Sequence, residues 1–200
     1  MIRSRLRRPL AALVIALGFS TAARAEDSWK GFVGGIAAGF AVHEGSHLAL
    51  DLAFDAHPRV KGVRFGVLPF FAVTHDSGLP DRRESLISGA GFFSQHAMSE
   101  AILSRRAPEA GLSSFEKGAV AFHVATSAGY AVAAFSKYGP YERDTRGLAD
   151  SLHVDERIVG AFVLAPAVFD TWRYFRPRSR AARWGSRLSK VAYLGLLLTH

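Results

Sequence analysis

The chain carries the sequence HEGSH at residues 43–47, two histidines and a glutamate at a spacing that is typical of metal sites. If this segment is helical, His43 and His47 lie on the same face, because residues four positions apart stack on successive turns. Two imidazole nitrogens can then bind one metal ion, with Glu44 beside them as a general base, as in zinc hydrolases. The motif therefore predicts a zinc site with hydrolytic chemistry.

The motif lies within an apolar segment, residues 31–54, which predicts a helix that is deeply buried or embedded in a membrane. Burial of two imidazoles and a carboxylate in such a helix is costly unless a bound cation compensates it. The same helical face continues in four-residue steps to Asp51 and Asp55. Asp51 is an alternative third ligand, or it is the carboxylate that orients His47. The other interpretation is that these four polar residues form a helix face that is exposed to solvent.

A catalytic zinc site needs a third protein ligand and an open position for water. The chain has no cysteine, so this ligand must be a histidine or a carboxylate. We predict Asp170, which follows Pro166 in an apolar segment where an ionisable group is costly. The pair His96 and Glu100, four residues apart, is the alternative as ligand or supporting pair. The lone His123 is more typical of a hydrogen-bonded core imidazole.

Apolar residues concentrate in blocks of roughly the 20 residues that a helix needs to cross a bilayer. With 49% hydrophobic residues in the chain, these blocks predict an all-α protein whose membrane domain, residues 26–176, has four apolar helices. Because every block contains polar residues, a periplasmic helical bundle is the alternative. Glycines and prolines around residues 63–73 predict a short hairpin after the first helix. The blocks are residues 31–54, 86–103, 118–135 and 158–175.

The first 25 residues predict a secretory signal peptide or an N-terminal anchor. They contain an arginine-rich start, an apolar run over residues 10–19 and the small-residue end Ala23-Arg24-Ala25. This segment places the chain in the bacterial inner membrane with an exported N-terminus, or in the periplasm.

Residues 177–200 form a basic C-terminal tail. The chain has a formal net charge of +8, and the arginines in and before this tail alternate with aromatic side chains such as Trp184. That mixture suits anionic lipid headgroups better than nucleic acid. We therefore predict a lipid bilayer as a partner and no nucleic acid.

The order of these features resembles the site-2 protease class of intramembrane zinc metalloproteases. The features are an apolar helix with the HEGSH motif, an apolar proline-containing segment at residues 65–71, and a later helix with Pro166 before Asp170. The likeness covers roughly residues 31–175. In that family the later aspartate is typically followed by glycine, whereas Thr171 follows Asp170 here.

The resemblance implies a function and a set of roles. In that family two histidines and a later aspartate bind zinc, a glutamate is the general base, and an extended segment presents the substrate by strand addition. A membrane-protein substrate is implied as well. Carried over to this chain, zinc is bound by His43, His47 and Asp170. Glu44 is then the general base, and residues 63–73 are the presenting strand.

Two other functions are compatible with the sequence. The chain can be a non-catalytic inner-membrane or periplasmic helical protein, in which His43 and His47 are hydrogen-bonded in a polar seam between helices. It can also be a different membrane metalloenzyme that acts on lipid and uses His96 and Glu100 together with the histidine pair. The group that faces the histidine pair distinguishes these alternatives, because metal ligands must converge.

Overall fold

A computed structural model describes residues 28–65, 68–106 and 111–199, so the predicted signal segment, residues 1–25, lies outside the described residues. The described part consists of six helices and one antiparallel hairpin, which confirms the predicted helical fold with a hairpin after the first helix. In chain order the elements are α1 (Trp29–Ala53), β1 (Arg59–Phe65), β2 (Leu68–Thr74), α2 (Asp81–Arg105), α3 (Ser114–Ser136), α4 (Asp144–Ser151), α5 (Glu156–Phe175) and α6 (Arg180–Leu197).

Two of these helices, α3 and α5, are long and apolar enough to cross a membrane, by length and composition. The sequence predicted four such helices, whereas two helices in the described part of the chain meet this criterion. The other two apolar blocks form α1 and α2, which have the length of a span but lack an apolar stretch of sufficient hydropathy. Helix α1 contains the HEGSH motif and Asp51, and α2 begins with a charged turn and buries Gln95, His96 and several serines.

Helices α1 and α3 pack closely because each turns a glycine towards the backbone of the other. A Cβ atom at Gly35 would overlap the carbonyl oxygen of Phe115, and one at Gly118 would overlap that of Phe32. Helix α3 packs in turn on α5, and α5 packs on α6. The main apolar core lies between α2, α4, α5 and α6, where the largest buried side chains are Phe92, Leu148, Val159, Val163 and Tyr193.

The hairpin is fixed to the helices by charged side chains. The imidazole of His75, directly after β2, lies 3.1 Å from Oδ1 of Asp51 in α1 and 2.7 Å from Oε2 of Glu84 in α2. The carboxylates of Asp51 and Glu84 raise the pKa of His75 to about 10, so this imidazole is charged at neutral pH. Further along the hairpin, Lys61 of β1 forms a 2.6 Å ion pair with Glu142, in the loop before α4.

Candidate metal centre

Three side chains from α1 and α4 converge in the interior of the helical domain. His43 and His47 lie buried on one face of α1, as their spacing predicts, and Asp144 is the first residue of α4. The Nε2 atoms of His43 and His47 lie 3.1 Å and 3.3 Å from Oδ2 of Asp144. Because the three ligand atoms lie within 4.8 Å of one another, this group could hold a metal ion.

The second ring nitrogen of each histidine is held by an acceptor from another element. Nδ1 of His43 lies 3.1 Å from Oε1 of Gln95, whose amide nitrogen donates to Ser127, so the amide oxygen is free to accept. Nδ1 of His47 donates to the carbonyl oxygen of Ile87 at 2.8 Å. In the neutral imidazoles both acceptors place the ring proton on Nδ1, which leaves a lone pair on each Nε2. Acceptors of this kind commonly orient metal-binding imidazoles.

In this tautomer the centre brings electron-pair donors together. Two Nε2 lone pairs face one oxygen of Asp144, and Nε2 of His47 is buried without a hydrogen bond. Without a cation only a proton can relieve this contact: burial would lower the pKa of His47, but Asp144 outweighs burial and raises it to about 9. Burial would likewise raise the pKa of Asp144, but the histidines hold it below its usual range. The donor set therefore fits a divalent cation such as zinc.

The space at this centre depends on Gly91 of α2. A Cβ atom at Gly91 would overlap Nε2 of both His43 and His47. Any larger residue would therefore collide with the two imidazoles. The glycine lets α2 pack closely against the motif helix without displacing the ligand atoms.

Glu44 stands next to the histidine pair and lines a cavity of about 330 Å³ that also reaches His43. Burial raises the pKa of Glu44 above its ordinary value, and His43 opposes this shift. A partly buried carboxylate beside an accessible cavity is well placed to accept a proton from water. The role of Glu44 as a general base stays a prediction.

The loop before α4 is clamped to the start of α5, and this clamp positions Asp144. Arg143 donates from Nε and Nη2 to the two carboxylate oxygens of Glu156 at 2.7 Å and 2.6 Å, and all of these groups are buried. Thr145 donates to Oε1 of the same glutamate at 2.7 Å. Glu156 therefore holds the residues on both sides of Asp144.

Asp170, the predicted third ligand, lies in a different polar cluster. It is fully buried and accepts hydrogen bonds from Ser99 and Ser186 at 2.6 Å each and from Lys190 at 2.8 Å. Its second oxygen also lies 3.2 Å from Nε2 of His123. These groups compensate the charge of Asp170 between α2, α5 and α6, and Asp144 takes the place beside His43 and His47 that the sequence analysis gave to Asp170.

The other sequence candidates are also placed away from the histidine pair. His96 is buried with its ring 5.1 Å from the ring of His123 and 4.9 Å from that of Tyr193. Asp51 contacts His75, while both ring nitrogens of His47 are directed at other groups. Glu100 forms ion pairs near the surface with Arg173, Arg187 and Lys190.

Asp144 was missed although a sequence signal was present. Pro140 precedes Asp144 by four residues, which is the same spacing as between Pro166 and Asp170. Gly147 follows Asp144 shortly afterwards, whereas no glycine follows Asp170 so closely. The same proline–aspartate spacing therefore occurs twice in the chain, and the apolar surroundings of Asp170 drew attention to that aspartate alone.

Comparison with known proteins identifies no family for this chain. No protein-family model matches it, and no curated protein or solved structure gives a significant match. The geometry of the metal centre is therefore the basis for a functional proposal.

Substitution of Glu156 tests whether the clamp positions the third ligand. We expect Glu156→Gln to raise the dissociation constant for zinc by about 10–100-fold, the usual effect of losing a group that orients a ligand. Thr145→Val, which removes one hydrogen bond of the clamp, should have a smaller effect in the same direction. The measurement is competition for zinc with a chelator of known affinity.

The matched control is Glu116→Gln at the start of α3. Glu116 also holds its helix start through hydrogen bonds, in a capping box with Ser113, but it contacts no residue of the metal centre. Its substitution should leave zinc affinity unchanged. Equal zinc affinity in Glu156→Gln and the unmodified chain would contradict the positioning role.

Proposed function

We propose that this chain is a zinc-dependent metalloprotease that acts on membrane-associated substrates. The main support is one observation, the convergence of two imidazole nitrogens of an HEGSH helix on the carboxylate of Asp144, beside an accessible glutamate. About one turn of α1 supplies two metal-binding imidazoles and a general base, and α4 supplies the carboxylate of the metal-binding group. A metal-binding group and a general base are the two parts that metal-assisted hydrolysis requires.

The roles of the residues follow from their chemistry. His43, His47 and Asp144 would hold zinc, since two imidazoles and a carboxylate form a common ligand set of catalytic zinc sites. When bound, zinc supplies Lewis acidity, which polarises the peptide carbonyl and makes water more acidic. Glu44 accepts the proton of the attacking water and delivers it to the amide nitrogen as the carbon–nitrogen bond breaks. The acceptors on both Nδ1 atoms keep the imidazoles in the tautomer that ligation needs.

A peptide substrate is favoured because the hairpin borders the same cavity as Glu44. Val63 of β1 and both Phe71 and Ala72 of β2 line this cavity. An extended peptide can add to the edge of a two-stranded sheet through backbone hydrogen bonds. The lipid-acting alternative has less support, because the group of converging ligand atoms contains Asp144 and neither His96 nor Glu100.

We also propose that the protein resides in a membrane, the bacterial inner membrane according to the signal-like segment at residues 1–25. Helices α3 and α5 supply two segments of suitable length and composition. Helix α6 adds an amphipathic surface that suits the lipid headgroup region, because exposed arginines flank its exposed apolar side chains. The apolar members of this surface are Trp184, Leu188, Val191, Leu194 and Leu198, and the basic members are Arg180, Arg183 and Arg187.

Glu44→Gln tests the proposed chemistry. The amide cannot accept a proton from water, so peptide hydrolysis should fall by at least about 100-fold, the low end of general-base contributions. Zinc content should remain that of the unmodified chain, because Glu44 is not one of the three ligands. We would follow new peptide ends by mass spectrometry after incubation with a mixture of detergent-solubilised membrane proteins.

The control for this experiment is Glu116→Gln, which removes a carboxylate of α3 outside the metal centre. It should hydrolyse the same peptides as the unmodified chain. Activity of Glu44→Gln equal to that of the control would rule out Glu44 as the base. Absence of hydrolysis in every form would favour the non-catalytic alternative.

Extraction of membranes tests the proposed location. If α3 and α5 cross the bilayer, the full chain should stay in the membrane pellet after an alkaline carbonate wash and should enter solution only with detergent. A peripheral marker protein should be released by the same wash. Complete release of the chain by carbonate would show that these helices belong to a protein outside the bilayer.

A further inference from the structure

The cavity beside Glu44 has an aromatic wall. It lies between α1, α3, the hairpin and the loop before α4, and Phe40, Phe71, Phe122 and Tyr130 line it. The ring of Phe40 meets the rings of Phe71 and Phe122 edge-on, with centroids 5.7 Å and 6.3 Å away. A wall of this kind offers a large apolar contact area at a fixed position next to the metal centre.

Two charged residues of the cavity lining are paired with partners outside it. Arg143 is engaged by Glu156 through two hydrogen bonds, and Glu142 is engaged by Lys61 at 2.6 Å. Glu44 is the remaining carboxylate among the lining residues. A ligand that enters the cavity therefore meets uncharged rings on the aromatic wall.

The volume of the cavity limits what it can hold. A value of about 330 Å³ is at the low end of the roughly 300–1,000 Å³ that ligand pockets span. This is enough for one large side chain with its adjacent backbone and too little for a folded segment. Together with the aromatic wall, the size favours a leucine-like or phenylalanine-like side chain over a small or charged one.

We propose that this cavity is a specificity subsite that takes a large apolar side chain of the substrate, at a residue next to the bond that is cleaved. The inference rests on the proposed function for the identity of the ligand as a peptide. The subsite places such a side chain within reach of His43 and Glu44, which line the same cavity. Binding of that side chain positions the neighbouring carbonyl at the metal centre.

Gly129 of α3 lies at the open side of the subsite. It lines the cavity and is exposed, and a Cβ atom at this position would meet nothing within 4 Å. A larger residue at position 129 can therefore extend over the cavity without displacing the helix backbone. Gly195 of α6 is a matched control, since a Cβ atom there also meets nothing within 4 Å and Gly195 does not line the cavity.

The test measures binding of short peptides to the full zinc-loaded chain in detergent, with the substitution Glu44→Gln present so that no peptide is consumed. The probes are acetyl-Ala-Ala-Xaa-Ala-amide peptides in which Xaa is Phe, Leu, Ala or Asp. We expect the Phe and Leu peptides to bind at least about tenfold more tightly than the Ala and Asp peptides, in line with discrimination by apolar pockets. The additional substitution Gly129→Leu should abolish this preference. The preference should persist when Gly195→Leu is introduced instead.

Equal affinity for the four peptides, or a preference that survives Gly129→Leu, would overturn the subsite. The zinc content of all variants should be equal, which separates loss of the subsite from loss of the metal centre. Hydrolysis by the chain with native Glu44 then tests the proposed function separately. A Gly129-dependent preference without any Glu44-dependent hydrolysis would leave the subsite in place and refute the protease. Glu44-dependent hydrolysis without a side-chain preference would refute the subsite alone.

Discussion

The convergence of the Nε2 atoms of His43 and His47 on one carboxylate oxygen of Asp144 is the constraint around which the domain is arranged. Four helices contribute to it. Helix α1 places His43 and His47 on one face, α2 supplies Gly91 and the acceptors that fix the ring protons, and α4 begins with Asp144. Helix α5 holds the loop before α4 through Glu156. Two imidazole nitrogens and a carboxylate are thereby brought together at low solvent exposure. A bound cation would stabilise this arrangement.

Asp170 is another carboxylate in the interior, and its contrast with Asp144 explains their different chemistry. Asp170 is surrounded by donors, namely Lys190 and the hydroxyl groups of Ser99 and Ser186. Its charge is compensated by the protein itself, so it links α5 to α2 and α6. Asp144 faces the Nε2 atoms of two imidazoles instead. Burial of a carboxylate therefore does not by itself indicate a metal ligand. The groups that contact its oxygen atoms distinguish a metal ligand from a carboxylate that the protein itself neutralises.

The sequence predicted those features that depend on local spacing. The position of His43 and His47 on one helix face follows from four-residue periodicity, and the hairpin follows from the glycines and prolines around residues 63–73. The third ligand depends on contact between His43 and a residue 101 positions away, which local patterns do not encode. The number of apolar spans was overestimated because buried helices such as α2 resemble weak spans in composition, although they bury polar side chains against one another.

Zinc stoichiometry of the detergent-purified chain tests the central assignment most directly, when it is measured by elemental analysis beside Asp144→Asn and Asp170→Asn. The account predicts about one zinc ion per chain in the unmodified protein and in Asp170→Asn, and loss of zinc in Asp144→Asn, because the amide is a far weaker ligand than the carboxylate. Circular dichroism of all three forms would establish that the helices are retained. Loss of zinc in Asp170→Asn with retention in Asp144→Asn, or no zinc uptake by the unmodified chain, would contradict it.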